Sequence, residues 1–270
     1  MTNLLGNCIY TIYFSEPPFY LLNAGVHRYP LVVSIPHSGT LITEKMNAAL
    51  YRQVKLPNSD WYLPELYDFL AGLDITVIVN NMNRYVADPN RAPDDRGDGF
   101  KNSVIYESTT HGHAMYPVPP DEAERKYRMD SFYYPYHMAL SAALEEKKRR
   151  FSHTYLIDLH SYGYRHGCDL ILGNRNGQSC SASFFSAARG LLEKQGYVTA
   201  DNKPFSGGYI TRHYGGGYEA LQIEHSYQIY IDDRDYGNEE LPEINRELFD
   251  GAKAKLWNFI TGLLDYISGL

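Results

Sequence analysis

The chain has 270 residues, 44% of them hydrophobic, and its formal net charge is −7 at pH 7. An acidic chain of this kind has no overall basic surface for nucleic acid or anionic membranes, so we expect a small-molecule partner, with no nucleic acid and no membrane bound. The length and apolar share are sufficient for one sizeable core, and we predict a single domain over residues 1–270.

Apolar, β-prone segments alternate with segments of helical or loop character along the chain. In chain order they predict a strand at 31–36, helices at 44–53 and 62–72, a strand at 75–80, a helix at 121–150, strands at 154–159 and 168–173, a helix at 180–195, a strand at 218–224 and a helix at 240–268. Pro135 is expected to kink or divide the helix over 121–150, because proline has no N–H for the helical ladder. This alternation predicts an α/β fold.

Two predicted loops are long or rich in glycine. Residues 87–120 carry many Pro, Gly, Asp and Asn residues and no long periodic segment, and residues 202–217 contain a Gly pair and a run of three Gly. Long irregular loops inside a domain are often functional, and glycine allows tight turns or lid motion.

The cysteines and the N-terminus indicate where the protein works. Cys8, Cys168 and Cys180 are widely spaced and form no Cys-x-x-Cys pair, which argues against a disulfide framework or a thiolate zinc site. The first residues lack the basic and unbroken apolar segments of a signal peptide, and no apolar run reaches membrane-spanning length. We therefore expect a cytoplasmic protein.

Three predicted strands end in polar residues able to carry chemistry. His37 follows the strand at 31–36, His160 follows Asp158 near the end of the third strand, and Glu224 ends the strand at 218–224. Because loops at the carboxyl ends of parallel strands converge on one crevice, these side chains are expected to meet. Two histidines with a carboxylate are a common catalytic zinc set, and a partly buried glutamate beside an activated water is suited to general-base work.

The third metal ligand is open at this level. Asp60, just before a predicted helix, is the first candidate, although it is equally suited to be the N-cap of that helix. Glu44, close to His37 in sequence and also near a helix start, is the alternative.

Two loops present arginines suited to carboxylate binding. Asn90 and Arg91 lie in the first loop, and Thr211 and Arg212 lie in the second. Arginine binds carboxylates in bidentate fashion, so either can anchor an acidic substrate or form a salt bridge that ties its loop to the body.

Seven short segments together resemble the N-formylglutamate amidohydrolases over about residues 30–235. They are Ile35–Gly39, Asp60–Trp61 with Leu66–Phe69, Arg84–Val86 with Asn90–Arg91, Asp158–Ser161, and Gly207–Gly215. The resemblance implies a single-domain three-layer α/β/α fold with a mixed, largely parallel sheet, similar to zinc carboxypeptidases and aspartoacylases.

The resemblance also implies roles for individual residues. Zn²⁺ would be bound by His37, Asp60 and His160, and Glu224 would activate water. The carbonyl would be polarised with the help of Arg84, and substrate would be bound by Asn90, Arg91, Thr211, Arg212 and Tyr214. The implied reaction is hydrolysis of N-formyl-L-glutamate to formate and L-glutamate, a step of histidine degradation.

One segment departs from the family pattern. Between Arg91 and the helix near residue 121 the chain carries His111-Gly-His113 and Tyr116-Pro-Val-Pro119 in place of a glycine-rich stretch. Another N-acyl amino acid or a small peptide is therefore an alternative substrate, and a non-catalytic relative that binds acidic ligands is a further alternative.

Overall fold

The computed structural model describes residues 2–5, 8–13, 16–97, 99–100, 102–234, 236 and 243–269. The strands are β1 (Thr2–Leu5), β2 (Cys8–Tyr13), β3 (Phe19–Leu22), β4 (Leu31–Ile35), β5 (Leu41–Thr43), β6 (Thr76–Asn80), β7 (Tyr155–Tyr162), β8 (Leu170–Gly173), β9 (Thr199–Asp201) and β10 (Glu219–Ser226). The α-helices are α1 (Glu44–Ala49), α2 (Leu63–Leu66), α3 (Glu122–Arg128), α4 (Tyr134–Lys148), α5 (Ala182–Lys194), α6 (Tyr209–Tyr214) and α7 (Arg246–Ser268). Across the described segments, no helix is both long and apolar enough to cross a bilayer.

Seven strands form the main sheet, in the order β3-β6-β4-β7-β10-β8-β9. The four central strands β6, β4, β7 and β10 are parallel, whereas β3 and β8 each pair antiparallel with their inner neighbour. A separate three-stranded sheet has the order β1-β2-β5. The predicted mixed, largely parallel sheet is confirmed.

Helices cover both faces of the main sheet, because alternate residues of the buried strands face opposite layers. Leu31, Val33 and Ile35 of β4 belong to a core shared with α2, α5 and α7. Val32 between them belongs to a second core shared with α4 and α6. The predicted three-layer α/β/α arrangement is confirmed.

The five predicted strands are present, and two of them run further than predicted. Strand β7 continues to Tyr162 and β10 continues to Ser226, so His160 lies within its strand rather than after it, and Glu224 lies before the end of its strand rather than at it. The pattern did not predict β1, β2, β3, β5 or β9, which are short or lie outside the central sheet positions.

The predicted helices differ from the observed ones mainly at their ends. The segment predicted at 62–72 is divided into α2 and a 3₁₀ helix over Asp68–Leu73. The helix predicted at 240–268 begins at Arg246, where the Asn245 side chain accepts the N–H of Leu248 at 3.2 Å as an N-cap. Residues 240–242 of that prediction lie outside the described residues.

The helix predicted over 121–150 is divided close to Pro135, as expected. A π-helical turn over Met129–Tyr133 joins α3 to α4, and Pro135 is the second residue of α4. Proline cannot donate to the preceding turn, which favours an irregular ladder there. The turn carries Phe132 and Tyr133 into a core around the 82–116 segment, whereas Tyr136 and Leu140 of α4 pack on the sheet.

Candidate active site

Three potential metal ligands meet at the carboxyl ends of β4 and β7. Nδ1 of His160 lies 3.1 Å from Nδ1 of His37 and 3.1 Å from Oδ2 of Asp60, and Nδ1 of His37 lies 3.7 Å from that same oxygen. All three side chains are buried. Tetrahedral ligands at about 2.0–2.2 Å from a zinc ion lie roughly 3.3 Å apart, so the spacing fits one ion. We call His37, Asp60 and His160 the metal trio.

The third ligand predicted from sequence, Asp60, is thus beside the two histidines. Its backbone N–H donates to the His37 carbonyl at 3.1 Å, and Ser38 Oγ donates to the Asp60 carbonyl at 2.7 Å. Tyr62, not Asp60, occupies the N-cap position of α2. The alternative candidate, Glu44, is an exposed residue in the first turn of α1 and is not part of the trio.

A carboxylate lies behind each imidazole of the trio. Nε2 of His37 is 2.7 Å from Oδ1 of Asp88, and Nε2 of His160 is 2.9 Å from Oδ2 of Asp158. These contacts place the Nε2 protons toward the carboxylates and leave the Nδ1 lone pairs of the neutral rings for a cation. Asp158 lies two residues before His160, so the two side chains share one strand face, whereas the sequence gave no reason to single out Asp88 in its loop.

The charges of the cluster also favour a cation. Asp60, Asp88, Asp158 and Glu224 are buried together, and Arg84 is the buried guanidinium among them. Burial opposes ionisation of Asp60, but its hydrogen bonds to His160 and His37 and their charges outweigh burial and hold its pKa below the usual range. With neutral imidazoles the carboxylates outnumber the guanidinium, and a divalent cation would offset that surplus. The donor set therefore fits a zinc ion.

Arg84, which the family resemblance implied as a group that helps to polarise the substrate carbonyl, is hydrogen-bonded to other protein groups. Its Nε and Nη2 atoms donate to Oδ2 of Asp88 at 3.1 and 2.7 Å, and Nη1 donates to the Asn58 carbonyl at 3.3 Å. Burial opposes ionisation of Asp88, but Arg84 and His37 outweigh it, so the pKa of Asp88 is well below its usual range. Arg84 therefore secures the carboxylate that orients His37.

Glu224 lies beside the metal trio on the next strand. It is the register partner of His160, and it is 8% exposed at the cavity surface. Burial is the main cause that raises its pKa to about 8, with a further contribution from Asp60, while His160 opposes the shift. A bound divalent cation would favour its ionised form, as general-base chemistry needs.

Gln222 fixes one oxygen of this glutamate. Its Oε1 accepts the backbone N–H of Gly208 at 2.8 Å, which orients the amide so that Nε2 donates to Oε1 of Glu224 at 2.9 Å. The other carboxylate oxygen of Glu224 remains for a water molecule. Gln222 was not predicted as a site residue. Its position two residues before Glu224, on the same strand face, was the feature of the sequence that could have identified it.

Asn90 joins the trio to helix α6. Its Oδ1 accepts the backbone N–H of Ile210 at 2.9 Å, and its Nδ2 lies 3.2 Å from Nε2 of His160. A Cβ at Gly208 would lie 2.3 Å from the Asn90 Nδ2 atom, so only glycine fits there. The second glycine of the pair in the 202–217 loop is thus required by the close approach of Asn90.

The π-helical turn and α4 support the loop that carries Asn90. Tyr133 donates its hydroxyl to the Arg91 carbonyl at 2.8 Å, and Nε2 of His137 donates to the Pro89 carbonyl at 2.9 Å. These two contacts hold the backbone on both sides of Asn90.

A cavity of about 720 Å³ opens onto the metal trio. Its lining includes Glu224, Arg84, Asn90, Arg91 and Phe100. The guanidinium carbons of Arg84 and Arg91 lie 5.1 and 5.7 Å from the centroid of the Phe100 ring. The cavity therefore has cationic groups on the side contributed by the loop after β6.

Three residues predicted to bind substrate lie away from this lining. Arg212 is exposed on α6 with its guanidinium carbon 5.6 Å from the ring centroid of Tyr209. Thr211 and Tyr214 are buried on α6, and the Tyr214 hydroxyl donates to the His137 carbonyl at 3.2 Å. Helix α6 directs these side chains away from the cavity lining. The sequence pattern did not predict the rotation of this short helix about its own axis.

His225 adjoins Glu224 in sequence but faces the opposite layer. Its Nδ1 donates to the His160 carbonyl at 2.8 Å, so its Nε2 accepts the hydroxyl of Tyr67 at 2.7 Å. Burial lowers the pKa of His225 to about 4. The segment Leu66–Phe69 thus contributes a structural partner rather than a group in the cavity.

The chain is similar to known proteins over most of its length. The chain is similar to the N-formylglutamate deformylases of Pseudomonas putida, with 30% identity over 76% of this chain and 83% of the relative, and of Pseudomonas aeruginosa, with 29% identity over 88% and 93%. The crystal structure of N-formylglutamate amidohydrolase from Ralstonia eutropha JMP134 shares the fold, with a TM-score of 0.79, 24% identity, and coverage of 94% of this chain and 100% of that one. The family model of N-formylglutamate amidohydrolase matches residues 29–231. The chain therefore belongs to the N-formylglutamate amidohydrolase family.

Proposed function

We propose that this protein is a zinc-dependent amidohydrolase that converts N-formyl-L-glutamate and water to formate and L-glutamate. The observation that carries the proposal is the metal trio with Glu224 beside it, at the carboxyl ends of three adjacent parallel strands. The substrate follows from the activity in the names of the two Pseudomonas relatives.

Zn²⁺ would be held by His37 Nδ1, His160 Nδ1 and a carboxylate oxygen of Asp60. When bound, it would supply Lewis-acid polarisation of the scissile carbonyl and lower the pKa of a water molecule. The carboxylates of Asp88 and Asp158 keep the two imidazoles in the tautomer that binding requires.

Glu224 acts as general base and then as general acid. It takes a proton from the water as the water oxygen bonds to the formyl carbon, and it delivers that proton to the nitrogen as the C–N bond breaks. The amine leaves with both electrons of that bond, so the products balance as formate and glutamate. Gln222 holds one carboxylate oxygen of Glu224 during this exchange.

Substrate carboxylates are assigned to the cationic side of the cavity. Arg91 lines it, and its Nε is buried without a hydrogen-bond partner, while Asn90 fixes the adjoining loop. Arginine is suited to bidentate carboxylate binding, so the glutamate part of the substrate lies here. Arg84 contributes its charge and positions His37 through Asp88. Thr211, Arg212 and Tyr214 act on the substrate only indirectly in this proposal, by forming helix α6.

The test is formate release from N-formyl-L-glutamate by the purified protein as isolated, after chelation, and after zinc is restored. We expect activity to disappear with chelation and return with zinc. If the zinc-loaded protein releases no formate, the proposed substrate is wrong. If activity survives complete chelation, the proposed metal requirement is wrong.

A further inference from the structure

Aromatic rings gather on the cavity side opposite the arginines. Tyr162, His166 and Phe205 all line the cavity, and their ring centroids are 5.1 Å apart for Tyr162 with His166 and 5.6 Å apart for each of the other two pairs. Tyr164 lines the same region and is 54% exposed. We call Tyr162, His166 and Phe205 the aromatic mouth.

The aromatic mouth lies within reach of the scissile bond. Tyr162 follows His160 by two residues on β7, so the two side chains share a face and their Cα atoms are about 6.5 Å apart. The hydroxyl of Tyr162 donates to the Cys168 carbonyl at 3.1 Å, and only 6% of the residue is exposed, so its ring backs the more exposed rings of His166 and Phe205.

The opposite side of the metal trio has different chemistry. Arg84 and Arg91 come from the loop after β6, whereas the aromatic mouth comes from the end of β7 and the loop after β9. In the sheet, β4 and its His37 lie between β6 and β7. A substrate whose carboxylates meet the arginines therefore directs its acyl group toward the rings.

The cavity is also larger than a formyl substrate needs. At about 30 Å³ for each water-sized group, a cavity of 720 Å³ holds roughly twice the dozen non-hydrogen atoms of N-formylglutamate. A formyl group ends in a hydrogen atom and offers no ring to stack on the aromatic mouth.

We infer that the aromatic mouth is an acyl-group subsite, and that the protein also hydrolyses N-aroyl derivatives of L-glutamate. This inference rests on the proposed function. The water oxygen bonds to the aroyl carbon, the C–N bond breaks, and the amine takes the proton, which gives an aromatic carboxylate and glutamate. Aromatic side chains prefer edge-to-face or offset stacking with an aryl group, which the ring of an N-aroyl substrate supplies.

The experiment compares kcat/KM of the zinc-loaded protein for the N-formyl, N-acetyl and N-benzoyl derivatives of L-glutamate. We expect N-benzoyl-L-glutamate to be hydrolysed with a kcat/KM at least tenfold above that of the N-acetyl compound, which has no ring to stack. Hydrolysis of the N-formyl compound with none of the N-benzoyl compound overturns the inference and leaves the proposed function intact. No hydrolysis of any of the three overturns both.

Substitution of Phe205 tests whether the aromatic mouth causes the preference for the N-benzoyl compound. Phe205→Ala is expected to lower the ratio of kcat/KM for the N-benzoyl compound to that for the N-formyl compound by about tenfold, while Phe205→Leu lowers it less. Tyr51→Ala removes a ring that is 46% exposed and outside the cavity lining, and it should leave the ratio unchanged. An unchanged ratio in Phe205→Ala overturns the assignment of the aromatic mouth.

Discussion

Four histidines in the interior layers occupy two kinds of environment in this protein, one in the metal trio and one in the layers packed around it. His37 and His160 each have a carboxylate on Nε2. His137 and His225 instead donate to a backbone carbonyl and have a tyrosine hydroxyl near the other nitrogen. Three of these four histidines are buried and His137 is half-buried, yet only His37 and His160 have Nδ1 atoms that converge on one point.

The difference lies in what each ring faces. A carboxylate stabilises positive charge on the ring or on a bound metal, whereas a carbonyl and a hydroxyl satisfy a neutral ring and leave burial to dominate. Accordingly the pKa of His160 is raised well above its usual value because Asp158 and Asp60 outweigh burial, whereas burial lowers the pKa of His137 to about 4. A metal-site histidine is therefore recognised by its partners rather than by its burial.

The largest expected effect is the loss of turnover when Glu224, which lies beside the metal trio, is replaced. Glu224→Gln should keep zinc bound and lower kcat for formate release by about 10²–10⁴-fold, because the amide cannot accept the proton from water. Metal analysis and steady-state kinetics measure the two quantities. Glu219→Gln at the start of the same strand is the control and should retain activity; an active Glu224→Gln enzyme would remove the general-base role.

Asp88→Asn tests the carboxylate behind His37. The amide removes the charge that orients and polarises the ring, so zinc affinity should fall by about 10–100-fold in a competition with a chromophoric chelator. Asp74→Asn, at an exposed carboxylate that pairs with Arg28, should leave the affinity unchanged. Equal affinities for wild type and Asp88→Asn would show that the contact does not tune the metal.

The pH dependence of the free energy of unfolding tests the environment of His137. Its folded pKa of about 4 lies below the unfolded value near 6.5, so the unfolded chain binds the extra proton between these values and stability falls as pH decreases through this window. This contribution should lower the free energy of unfolding by roughly 1.5 kcal/mol between pH 6.5 and 5. In urea titrations His137→Gln should show a shallower loss over that range, and parallel curves for the two proteins would contradict the shift.

Tyr67→Phe should have the smallest effect. It leaves Nε2 of the buried His225 without its donor, which is expected to cost about 1 kcal/mol of unfolding free energy in urea titrations. Zinc affinity should not change, since His225 faces away from the trio. Tyr51→Phe is the matched control, and a loss of zinc in Tyr67→Phe would mean that the two environments are coupled.

Features set by local pattern were predictable from the sequence, and features set by contacts between distant loops were not. The apolar strands and the polar residues at their ends predicted that His37, His160 and Glu224 meet. Asp60 was identified only as one of two candidates, because a loop residue carries no periodic signal and its position depends on the hydrogen bond between its N–H and the His37 carbonyl.

Asp88 and Arg212 show two limits of prediction from the sequence: Asp88 was not predicted to belong to the site, and Arg212 was predicted to bind substrate but lies away from the cavity. Asp88 lies 51 positions from His37 in sequence, and no local rule associates the two. Arg212 belongs to a loop whose composition suggested substrate binding, but the short helix α6 fixes its direction through the contact of Ile210 with Asn90. In both cases tertiary contacts decide where a side chain points.

The π-helical turn over Met129–Tyr133 makes one continuous helical segment serve two separate cores. An ordinary α-helix advances about 100° per residue, so the widened turn shifts the phase between α3 and α4. Deleting one residue there would restore a regular ladder while rotating Tyr133 and His137 relative to α3. The backbone around Asn90 would lose its support, so a locally more ideal helix would give a less functional enzyme. This segment should therefore tolerate substitution at its exposed position, Asp130, but no change in length.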